Sequence, residues 1–370
     1  MSGVDPSAAV AKQTKLAAEI FDELYNKTFD GVGVTRASYG EGEQVASELL
    51  ESHAKKLGLV IDHDAAGNIY MTMRGESQEA PPIVIGSHID SVAQGGNFDG
   101  AAGVISGLIA CAGIIEKGIR LPQDIRVMGI RAEESAWFGV SYIGSRSALG
   151  TLPKDALDNA KRSDTGITLG EHMFKAGCNP DALRAGDIYL PPSSLKAYLE
   201  VHIEQGPVLD SKDLPLGIVT GIRGNRRLPS AKCIGEYSHC GGVPRSYRKD
   251  AVLAVTDLVN YLDKVWDECE NKGKDFAFTV GKFFTDKEWH AMTKISGAVE
   301  FSLDMRSLDG DFIESMTKRV CEEALKIEKK RGVQFNLGDF TRAAPGPMDE
   351  HIKTRMLLGA NSLGIPYMEI

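Results

Sequence analysis

Five side chains with metal-binding chemistry stand at the ends of apolar stretches or at the start of an apolar helix. They are His88, Asp99, Glu133, Glu134 and His202. Imidazole and carboxylate ligands without thiolate suit Zn²⁺, Mn²⁺, Co²⁺ or Ni²⁺. A carboxylate shared by two ions, with one His and one further ligand for each, is an economical two-metal site. The set therefore predicts a centre for divalent metal ions.

Adjacent carboxylates allow a division of labour at such a centre. Of Glu133 and Glu134, one can bind a metal ion while the other holds the proton of a water molecule. Asp90 stands two residues after His88, where its side chain can orient the imidazole. We therefore include Asp90 as a supporting residue of the centre.

Each of these residues also has an ordinary structural explanation. A lone His at the end of a strand is more often a hydrogen-bonded structural residue, and a Glu-Glu pair is usually solvated surface. Asp99 could be only a helix N-cap, and His202 could face solvent. The combination favours function, because every candidate is tied to a strand end or a helix start of one predicted sheet.

Strand, helix and strand follow one another around the candidate residues. Residues 82–86 form a short apolar run typical of a strand covered on both faces, residues 100–117 a Gly/Ala-rich helix, and residues 124–130 another buried strand. This order predicts a βαβ unit, whose ligands bind beyond the carboxyl ends of its strands. Residues 196–204 alternate as a further strand that carries His202.

A different pattern begins near residue 217. Strands and two long helices, at residues 249–269 and 311–331, predict a compact α+β domain inserted into the larger one. We therefore expect an α/β fold class, with the first part of the larger domain at 1–216, the inserted domain at 217–338 and the second part of the larger domain at 339–370.

Composition excludes several classes of protein. The chain has 370 residues, 42% hydrophobic and 25% charged, which is ordinary for a globular protein. Its net charge of −9 argues against nucleic acid or an anionic membrane as a partner. The longest apolar run, residues 103–115, is shorter than the roughly 20 residues that span a bilayer.

The cysteines indicate a cellular compartment, and the absence of two kinds of motif argues against two kinds of chemistry. Six Cys without a Cys-x-x-Cys pair fit a reducing compartment, and residues 1–15 lack the apolar region of a signal peptide. We therefore expect a cytoplasmic protein. No Gly-x-Ser-x-Gly elbow supports serine chemistry, and no Gly-x-Gly-x-x-Gly or Walker loop follows a strand to hold a nucleotide.

Four sequence motifs, taken in their order along the chain, resemble those of a known protein family. They are Gly-Ser-His-Ile-Asp-Ser at 86–91, Gly-Gly-Asn-Phe-Asp-Gly at 95–100, Glu-Glu at 133–134 and His-Ile-Glu-Gln-Gly-Pro at 202–207. From Gly31 to its end, the chain resembles the hydantoinase/carbamoylase family of metal-dependent amidases. That family includes N-carbamoyl-L-amino-acid hydrolases, β-ureidopropionases and allantoate amidohydrolases, within the aminoacylase-like zinc exopeptidase superfamily. The resemblance implies a two-metal catalytic domain with an inserted lid that also forms a homodimer.

The resemblance assigns roles by position. It implies that His88 and His202 bind one metal ion, that Asp99 bridges both ions and that Glu134 binds the other. Glu133 resembles the general base.

Three further positions resemble substrate-binding residues. Gln205 resembles a substrate contact. His239, in Ser-His-Cys-Gly-Gly-Val-Pro at 238–244, resembles the lid His that stabilises a developing oxyanion. Arg306, in Leu-Asp-Met-Arg at 303–306, resembles the Arg that binds the substrate carboxylate.

The chain departs from the family pattern at four places. Ser-Ala-Trp-Phe at 135–138, Cys-Gly-Gly-Val-Pro-Arg at 240–245 and Thr293 replace commoner residues, which suggests a divergent subgroup. The family continues past residue 370 into a Gly-rich loop and a last His that binds the second metal. We therefore expect a truncated catalytic domain.

Three hypotheses follow. The leading one is metal-dependent hydrolysis of a linear ureido C–N bond in an N-carbamoyl amino acid or an allantoate-like substrate. The second is a dipeptidase or N-acyl-amino-acid deacylase of the same superfamily. The third is a non-catalytic dimeric protein that binds one metal ion or none.

Overall fold

Residues 7–370 are described by a computed structural model, in which they form two units. The first unit is Met1–Gln205 and the second is Gly206–Ile370. Residues 1–6 of the predicted catalytic domain lie outside the described part. The division into 1–216, 217–338 and 339–370 stays a prediction.

The first unit is built from one sheet, the helices that cover it and a run of short helices. Its strands are β1 (Val60–His63), β2 (Ile69–Met73), β3 (Ile83–His88), β4 (Ile125–Ile130) and β5 (Ala197–Leu199). Its helices are α1 (Ser7–Lys12), α2 (Thr14–Thr28), α3 (Glu41–Lys56), α4 (Ala101–Glu116), α5 (Ser135–Phe138), α6 (Ile143–Ala148), α7 (Ala156–Asn159), α8 (Leu169–Lys175) and α9 (Pro180–Arg184).

The sheet of the first unit has the strand order β1-β2-β4-β3-β5. β3 runs parallel to β4 and to β5, while β1, β2 and β4 are antiparallel neighbours. β3, α4 and β4 therefore form the predicted βαβ unit. In its register His88 lies beside Ile130, so the segments that follow β3 and β4 leave the sheet at the same edge.

Apolar side chains on both faces of β3 and β4 explain this arrangement. α4 contributes Val104, Ile105, Leu108 and other buried residues to a core shared with β2, β4, α2 and α3. A second cluster lies under the short helices, where Trp137, Phe138, Leu157, Leu169 and Met173 pack together. The short helices thus cover the segment that follows β4.

One predicted strand is shorter than its alternating pattern suggests. β5 ends at Leu199, and its pairs with β3 are restricted to residues 83–85 of that strand. His202 lies in the loop beyond β5, so the expectation that a strand carries it is wrong. Just past the end of β5, Ser87 donates a side-chain hydrogen bond of 2.6 Å to Glu200, where the backbone pairing between β3 and β5 has already stopped.

The second unit contains the remaining elements. Its helices are α10 (Val208–Ser211), α11 (Ala251–Asn271), α12 (Gly310–Arg331) and α13 (Glu350–Ser362). Its strands are β6 (Leu216–Ile218), β7 (Gly221–Ile222), β8 (Gly224–Ile234), β9 (Ser238–His239), β10 (Ala277–Thr279), β11 (Phe283–Thr285), β12 (Lys294–Ile295), β13 (Ala298–Ser307), β14 (Gln334–Asn336), β15 (Thr341–Ala343), β16 (Gly346–Pro347) and β17 (Tyr367–Glu369).

An antiparallel sheet organises this unit. β10, β13, β8 and β14 follow one another, with β11 also on β13 and β15 also on β8. The buried side chains of β13 alternate and pack with the apolar stripes of α11 and α12. This is the predicted α+β arrangement. Ile313 is the fully buried residue at the start of α12, and Phe312 is only partly buried.

Shorter pairs complete the second unit. β6 and β17 form a separate parallel pair, in which Leu216 lies beside Tyr367. Within residues 7–370 no helix is long and apolar enough to cross a membrane.

Candidate metal centre

The edge of the first sheet brings the candidate residues together. His88 is the last residue of β3, and Glu133 and Glu134 follow β4 just before α5. Asp99 precedes α4, and His202 lies in the loop after β5. All belong to the first unit.

The Asp99 carboxylate lies between two imidazoles. Its Oδ1 is 3.6 Å from Nε2 of His88 and 3.4 Å from Nε2 of His202. Ligand atoms that surround one tetrahedral zinc ion are about 3.3 Å apart, because each lies about 2.0 Å from the metal. Both distances from Asp99 are therefore close to the spacing of ligand atoms around one divalent ion, and all three ligand atoms lie within 4.8 Å of one another.

The hydrogen bonding of Asp99 argues against the simple helix cap. No side chain caps the start of α4, and Asp99 Oδ1 is buried without a hydrogen-bond partner. A buried carboxylate oxygen with no donor is unfavourable, and a bound cation removes that cost. His88, Asp99 and His202 thus fit a metal ion by their chemistry as well as by their spacing.

A second group of donors shares His88. His88, Glu133 and Glu134 offer ligand atoms that all lie within 4.8 Å of one another. His88 is buried, whereas the two carboxylates are partly accessible. The structure therefore assembles all five candidates around His88 in two overlapping groups.

Backbone carbonyls select the tautomer of each histidine. Nδ1 of His88 lies 3.0 Å from the carbonyl oxygen of Asp90, and Nδ1 of His202 lies 2.9 Å from that of Ile203. A carbonyl only accepts, so each Nδ1 carries a hydrogen and donates it. The lone pair of each neutral ring is then on Nε2, which faces Asp99.

Asp90 supports the centre differently from the expectation. Its carbonyl, rather than its carboxylate, makes the close contact with His88; the nearer carboxylate oxygen is 3.5 Å from Nδ1. The buried carboxylate accepts the backbone N–H of Glu133 at 3.0 Å and of Glu134 at 3.2 Å. It also accepts the Ser38 hydroxyl at 2.7 Å. Asp90 therefore holds the backbone of the Glu pair.

Negative charge dominates the electrostatics of the centre. Burial opposes a charged ring at His88, but the nearby carboxylates of Asp90, Asp99 and Glu133 raise its pKa to about 11. The nearby His88 ring holds the pKa of Asp99 below its usual value, although burial opposes this. The surrounding carboxylates thus favour positive charge at His88, as a proton or a metal ion supplies it.

Burial raises the pKa values of Glu133 and Glu134, because it disfavours their charged forms. Mainly through burial, and through the charges of Asp90 and Glu134, the pKa of Glu133 is raised to about 7, although His88 opposes the rise. Burial also raises the pKa of Glu134. A carboxyl group with a pKa near neutrality can accept and release a proton readily.

Gly100 permits the close approach of α4 to β3. It has φ +65°, and a Cβ at this position would lie 2.4 Å from the His88 carbonyl oxygen and 2.5 Å from its ring. Any side chain would therefore separate Asp99 from His88. The Asp-Gly pair of the motif at residues 95–100 is thus explained by sterics.

Gln205 forms a hydrogen bond with one of the candidate metal ligands, Asp99. Its Nε2 donates to Asp99 Oδ2 at 2.9 Å, which leaves Oδ1 to face the histidines. The sequence suggested only a substrate contact for this residue.

The second unit positions the other two candidates by its own contacts. His239 Nδ1 accepts the backbone N–H groups of Gly241 and Gly242, each at 3.1 Å, so the ring hydrogen is on Nε2. Arg306 donates to Asp304 Oδ2 from Nε at 3.2 Å and from a terminal nitrogen at 3.0 Å.

Two buried charged residues were not predicted from the sequence. Arg36 is fully buried, and its Nε donates to the Ile89 carbonyl at 2.8 Å while a terminal nitrogen reaches the Asp99 carbonyl at 3.3 Å. Glu43 is also fully buried and accepts from Arg131 and Ala132. Arg36 lies in the stretch that resembles the family, but nothing in its type or spacing indicates that it braces the loop before Asp99.

Several known proteins are similar to this chain in sequence and in fold. Residues 68–167 match the sequence profile of Peptidase family M28. Over 334 residues the chain is 35% identical to an N-carbamoyl-L-amino acid amidohydrolase of Geobacillus stearothermophilus, which covers 90% of this chain and 79% of that protein. It is 28% identical over 330 residues to an allantoate amidohydrolase of Bacillus subtilis, covering 89% and 77%.

A crystal structure extends the similarity to three dimensions. An amidase of the hydantoinase/carbamoylase family from Burkholderia multivorans superposes with a TM-score of 0.86 at 26% identity, over 96% of this chain and 84% of that chain. The exopeptidase-like α/β fold that the resemblance implied is therefore confirmed. Sequence, fold and the arrangement of histidines and carboxylates agree, and the chain belongs to the hydantoinase/carbamoylase family of amidases.

Proposed function

We propose that the protein is a metal-dependent amidohydrolase that hydrolyses a linear ureido C–N bond. The substrate is an N-carbamoyl amino acid or an allantoate-like molecule. The observation that carries this proposal is the Asp99 oxygen between two histidine Nε2 atoms, in a chain of a metal-dependent amidase family. For an N-carbamoyl amino acid, one water is consumed and the products are the amino acid, carbon dioxide and ammonia.

Two divalent ions, zinc or else manganese, cobalt or nickel, are the proposed cofactors. His88, His202 and Asp99 would hold one ion, and Glu134 together with Asp99 would hold the other. Their nitrogen and carboxylate donors, without thiolate, support this range of metals. When bound, such ions polarise a carbonyl group and lower the pKa of water.

Glu133 is the proposed general base. Its carboxyl group lies beside His88 and Glu134, and burial raises its pKa to about 7. It takes a proton from the attacking water and gives it to the leaving nitrogen. The N–H bond to Asp90 holds the backbone of Glu133 in place for both transfers.

Substrate binding is assigned to three residues. His239 carries its hydrogen on Nε2, which supports its role as a donor to the developing oxyanion. Arg306 is proposed to bind the substrate carboxylate, because its guanidinium fork matches two carboxylate oxygens. Gln205 is proposed to contact the substrate while it holds Asp99.

The experiment measures ammonia release and metal content together. The protein is assayed on N-carbamoyl-L-amino acids and on allantoate, as prepared, after chelator treatment, and after addition of each metal. We expect turnover that the chelator abolishes and one of the four metals restores. Absence of metal-dependent turnover on every ureido substrate would contradict the proposal.

A matched pair of histidine variants makes the test specific. His88→Gln is expected to lose metal and activity. His53→Gln replaces another buried histidine of the first unit, outside the centre, and is expected to retain both. Equal metal content in the two variants would argue against a centre at His88.

The match to Peptidase family M28 favours a second candidate function. A dipeptidase or N-acyl-amino-acid deacylase would use the same metal ions and the same base on an amide without the terminal nitrogen. Release of a free amine from N-acetyl amino acids or dipeptides, without ammonia from ureido substrates, would identify this activity.

We also propose a homodimer formed through the second unit, and a cytoplasmic location. The six cysteines, which are free thiols, support a reducing compartment. Cell fractionation tests the location, and recovery of the protein outside the cytosol would overturn it.

A further inference from the structure

Glu43 is a buried carboxylate that the proposed chemistry does not use. It lies in the first turn of α3 and has no exposed surface. Its Oε1 accepts the backbone N–H of Ala132 at 2.7 Å, and its Oε2 accepts Tyr39 N–H at 2.7 Å and Arg131 Nε at 2.8 Å. Glu43 therefore binds the segment that leads from β4 into the Glu pair.

Ala132 has a backbone conformation that alanine disfavours. Its φ is +52°, in the left-handed region, where an L-residue costs the equivalent of roughly a tenfold drop in population. Its side chain is fully buried, and its carbonyl accepts the Ile143 N–H at 2.9 Å. The surrounding contacts must therefore supply the free energy that keeps Ala132 left-handed.

The conformation of Ala132 decides where the next side chains point. A rotation about its N–Cα bond would redirect the Glu133 peptide, whose N–H is held by Asp90 and whose carbonyl accepts Tyr142 N–H at 2.8 Å. Two buried carboxylates therefore hold different parts of this segment. Glu43 accepts the N–H of Ala132, and Asp90 accepts those of Glu133 and Glu134.

We propose that Glu43 is a positioning residue that keeps Ala132 left-handed and thereby aims Glu133 and Glu134 at His88. Arg131 fixes the Glu43 side chain in turn. Its guanidinium forms an ion pair with the Glu43 carboxylate and lies over the Tyr39 ring, 5.0 Å from the ring centre. This inference rests on the proposed function, because it concerns the groups that function assigns to proton transfer and metal binding.

The test combines charge removal with relief of the backbone constraint. Glu43→Gln keeps the side-chain volume but replaces an acceptor oxygen by an amide donor. Glu43→Asp keeps the charge near Arg131 but is one methylene shorter, and serves if the first variant does not fold. Each is combined with Ala132→Gly, because glycine adopts φ +52° without the cost that alanine incurs. Ala132→Gly alone is the reference for the double variants.

Asp124 provides a matched control. It is a buried carboxylate at the opposite end of β4, where it accepts Arg74 at 2.7 Å and the Gly75 N–H at 2.8 Å. Asp124→Asn removes a comparable buried interaction without touching residues 131–134. It separates general destabilisation from loss of positioning.

We expect Glu43→Gln to lower kcat by about 10²-fold, since small misplacements of catalytic groups have effects of this size, while KM changes less than threefold. Ala132→Gly in the same chain is expected to recover roughly tenfold in kcat. Asp124→Asn should keep the kcat of the parent. An unchanged kcat in both Glu43 variants, or no recovery by Ala132→Gly, would overturn the inference.

Hydrogen exchange gives a readout that does not require turnover. Peptides that cover residues 129–136 should exchange at least tenfold faster in the Glu43 variants than in the parent and in Asp124→Asn. Equal exchange would refute the positioning role, whether or not the protein is active. If the parent hydrolyses no ureido substrate, the proposed function fails while the exchange experiment still decides the role of Glu43.

Discussion

The two oxygens of the Asp99 carboxylate have different surroundings. Oδ2 accepts from Gln205, whereas Oδ1 is buried, lacks a donor and faces two imidazole nitrogens. A helix cap or an ordinary ion pair would satisfy both oxygens with protein donors. This difference separates a candidate metal ligand from a structural aspartate, and the residue type alone does not reveal it.

Glu133→Gln tests the assigned base at the residue scale. The variant keeps the side-chain volume and the backbone bond to Asp90, but it cannot take up a proton. We expect kcat to fall 10²- to 10⁴-fold, the usual contribution of a general base, while the metal content and KM stay within twofold. Steady-state kinetics and metal analysis of the same preparation measure both.

Glu48→Gln is the control for this prediction, because Glu48 lies on α3 outside the candidate ligand groups and accepts a hydrogen bond from Gln44 in an exposed contact. Its kinetics should match those of the parent. A Glu133→Gln protein with full kcat would show that another group accepts the proton.

Arg36 and Glu43 show the limit of residue-level prediction. Both are fully buried charges whose partners are remote in sequence: Arg36 binds Ile89 across 53 residues, and Glu43 binds Ala132 across 89. Their local surroundings in the sequence resemble those of any solvated Arg or Glu. Only the fold brings the carbonyl and the N–H groups that they bind within reach.

At the scale of elements, hydrophobic periodicity predicted most of the framework. The apolar patterns correctly predicted the positions of five elements: β3, α4, β4, α11 and α12. An element that buries one face or both shows this in the spacing of its own apolar residues. β5 is the exception. Its alternation continues to residue 204, but within residues 7–370 it pairs only with β3, at residues 83–85. Alternation alone does not show where a partner strand ends.

Asp257 gives an element-scale prediction for the contact between α11 and α12. Its carboxylate accepts Arg331 from two nitrogens at 2.7 Å each and Lys330 at 3.0 Å. The hydrogen bonds from Arg331, with those from Lys330, hold the pKa of Asp257 below its ordinary value. A depressed pKa in the folded state stabilises the protein above the unfolded pKa, and this stabilisation is lost as the pH falls through the folded value.

We therefore expect Asp257→Asn to lower the free energy of unfolding by about 1 kcal/mol at pH 7. The difference should shrink below pH 4, as the parent carboxylate becomes protonated. Denaturant titrations between pH 7 and pH 3.5, followed by the transition of the second unit, measure it. Glu322→Gln, which removes an exposed pair with Lys318 on the same helix, is the control. A difference that does not change with pH would contradict this account.

At the scale of the whole molecule, an apolar surface on the second unit supports self-association. β11 pairs with β13 on one side, and no strand within residues 7–370 pairs with its other edge. Phe284, Trp289 and Met292, on β11 and the loop that follows, are 51%, 57% and 99% exposed. An unpaired strand edge and exposed large apolar side chains are each typical of a protein–protein contact.

If the proposed homodimer forms through this edge, a charge placed there is expected to weaken it. Phe284→Glu should shift the sedimentation coefficient from that of a dimer toward that of a monomer at micromolar concentration, because a buried charge without a partner is costly at an interface. Tyr247→Glu, at a residue that is 77% exposed elsewhere in the same unit, is the control. A monomeric parent protein would end the dimer proposal, and an unaffected dimer would move the contact to another surface.

The sequence by itself determined which chemistry the protein can hold and which elements carry it. Residue types, motif order and apolar periodicity identified His88, Asp99, the Glu pair and His202, and they predicted the βαβ unit that gathers four of these five. These features depend on residues close together in the chain, so they can be deduced from the sequence alone.

Only the tertiary structure decided how those groups are oriented. It placed the unpaired oxygen of Asp99 between two Nε2 atoms, turned the Asp90 carboxylate toward the backbone of the Glu pair, and set Glu43 against the left-handed Ala132. Each of these contacts joins residues far apart in the sequence. The hydrogen-bond partners of a buried polar group are chosen by the packing of the whole unit, and local pattern carries no information about them.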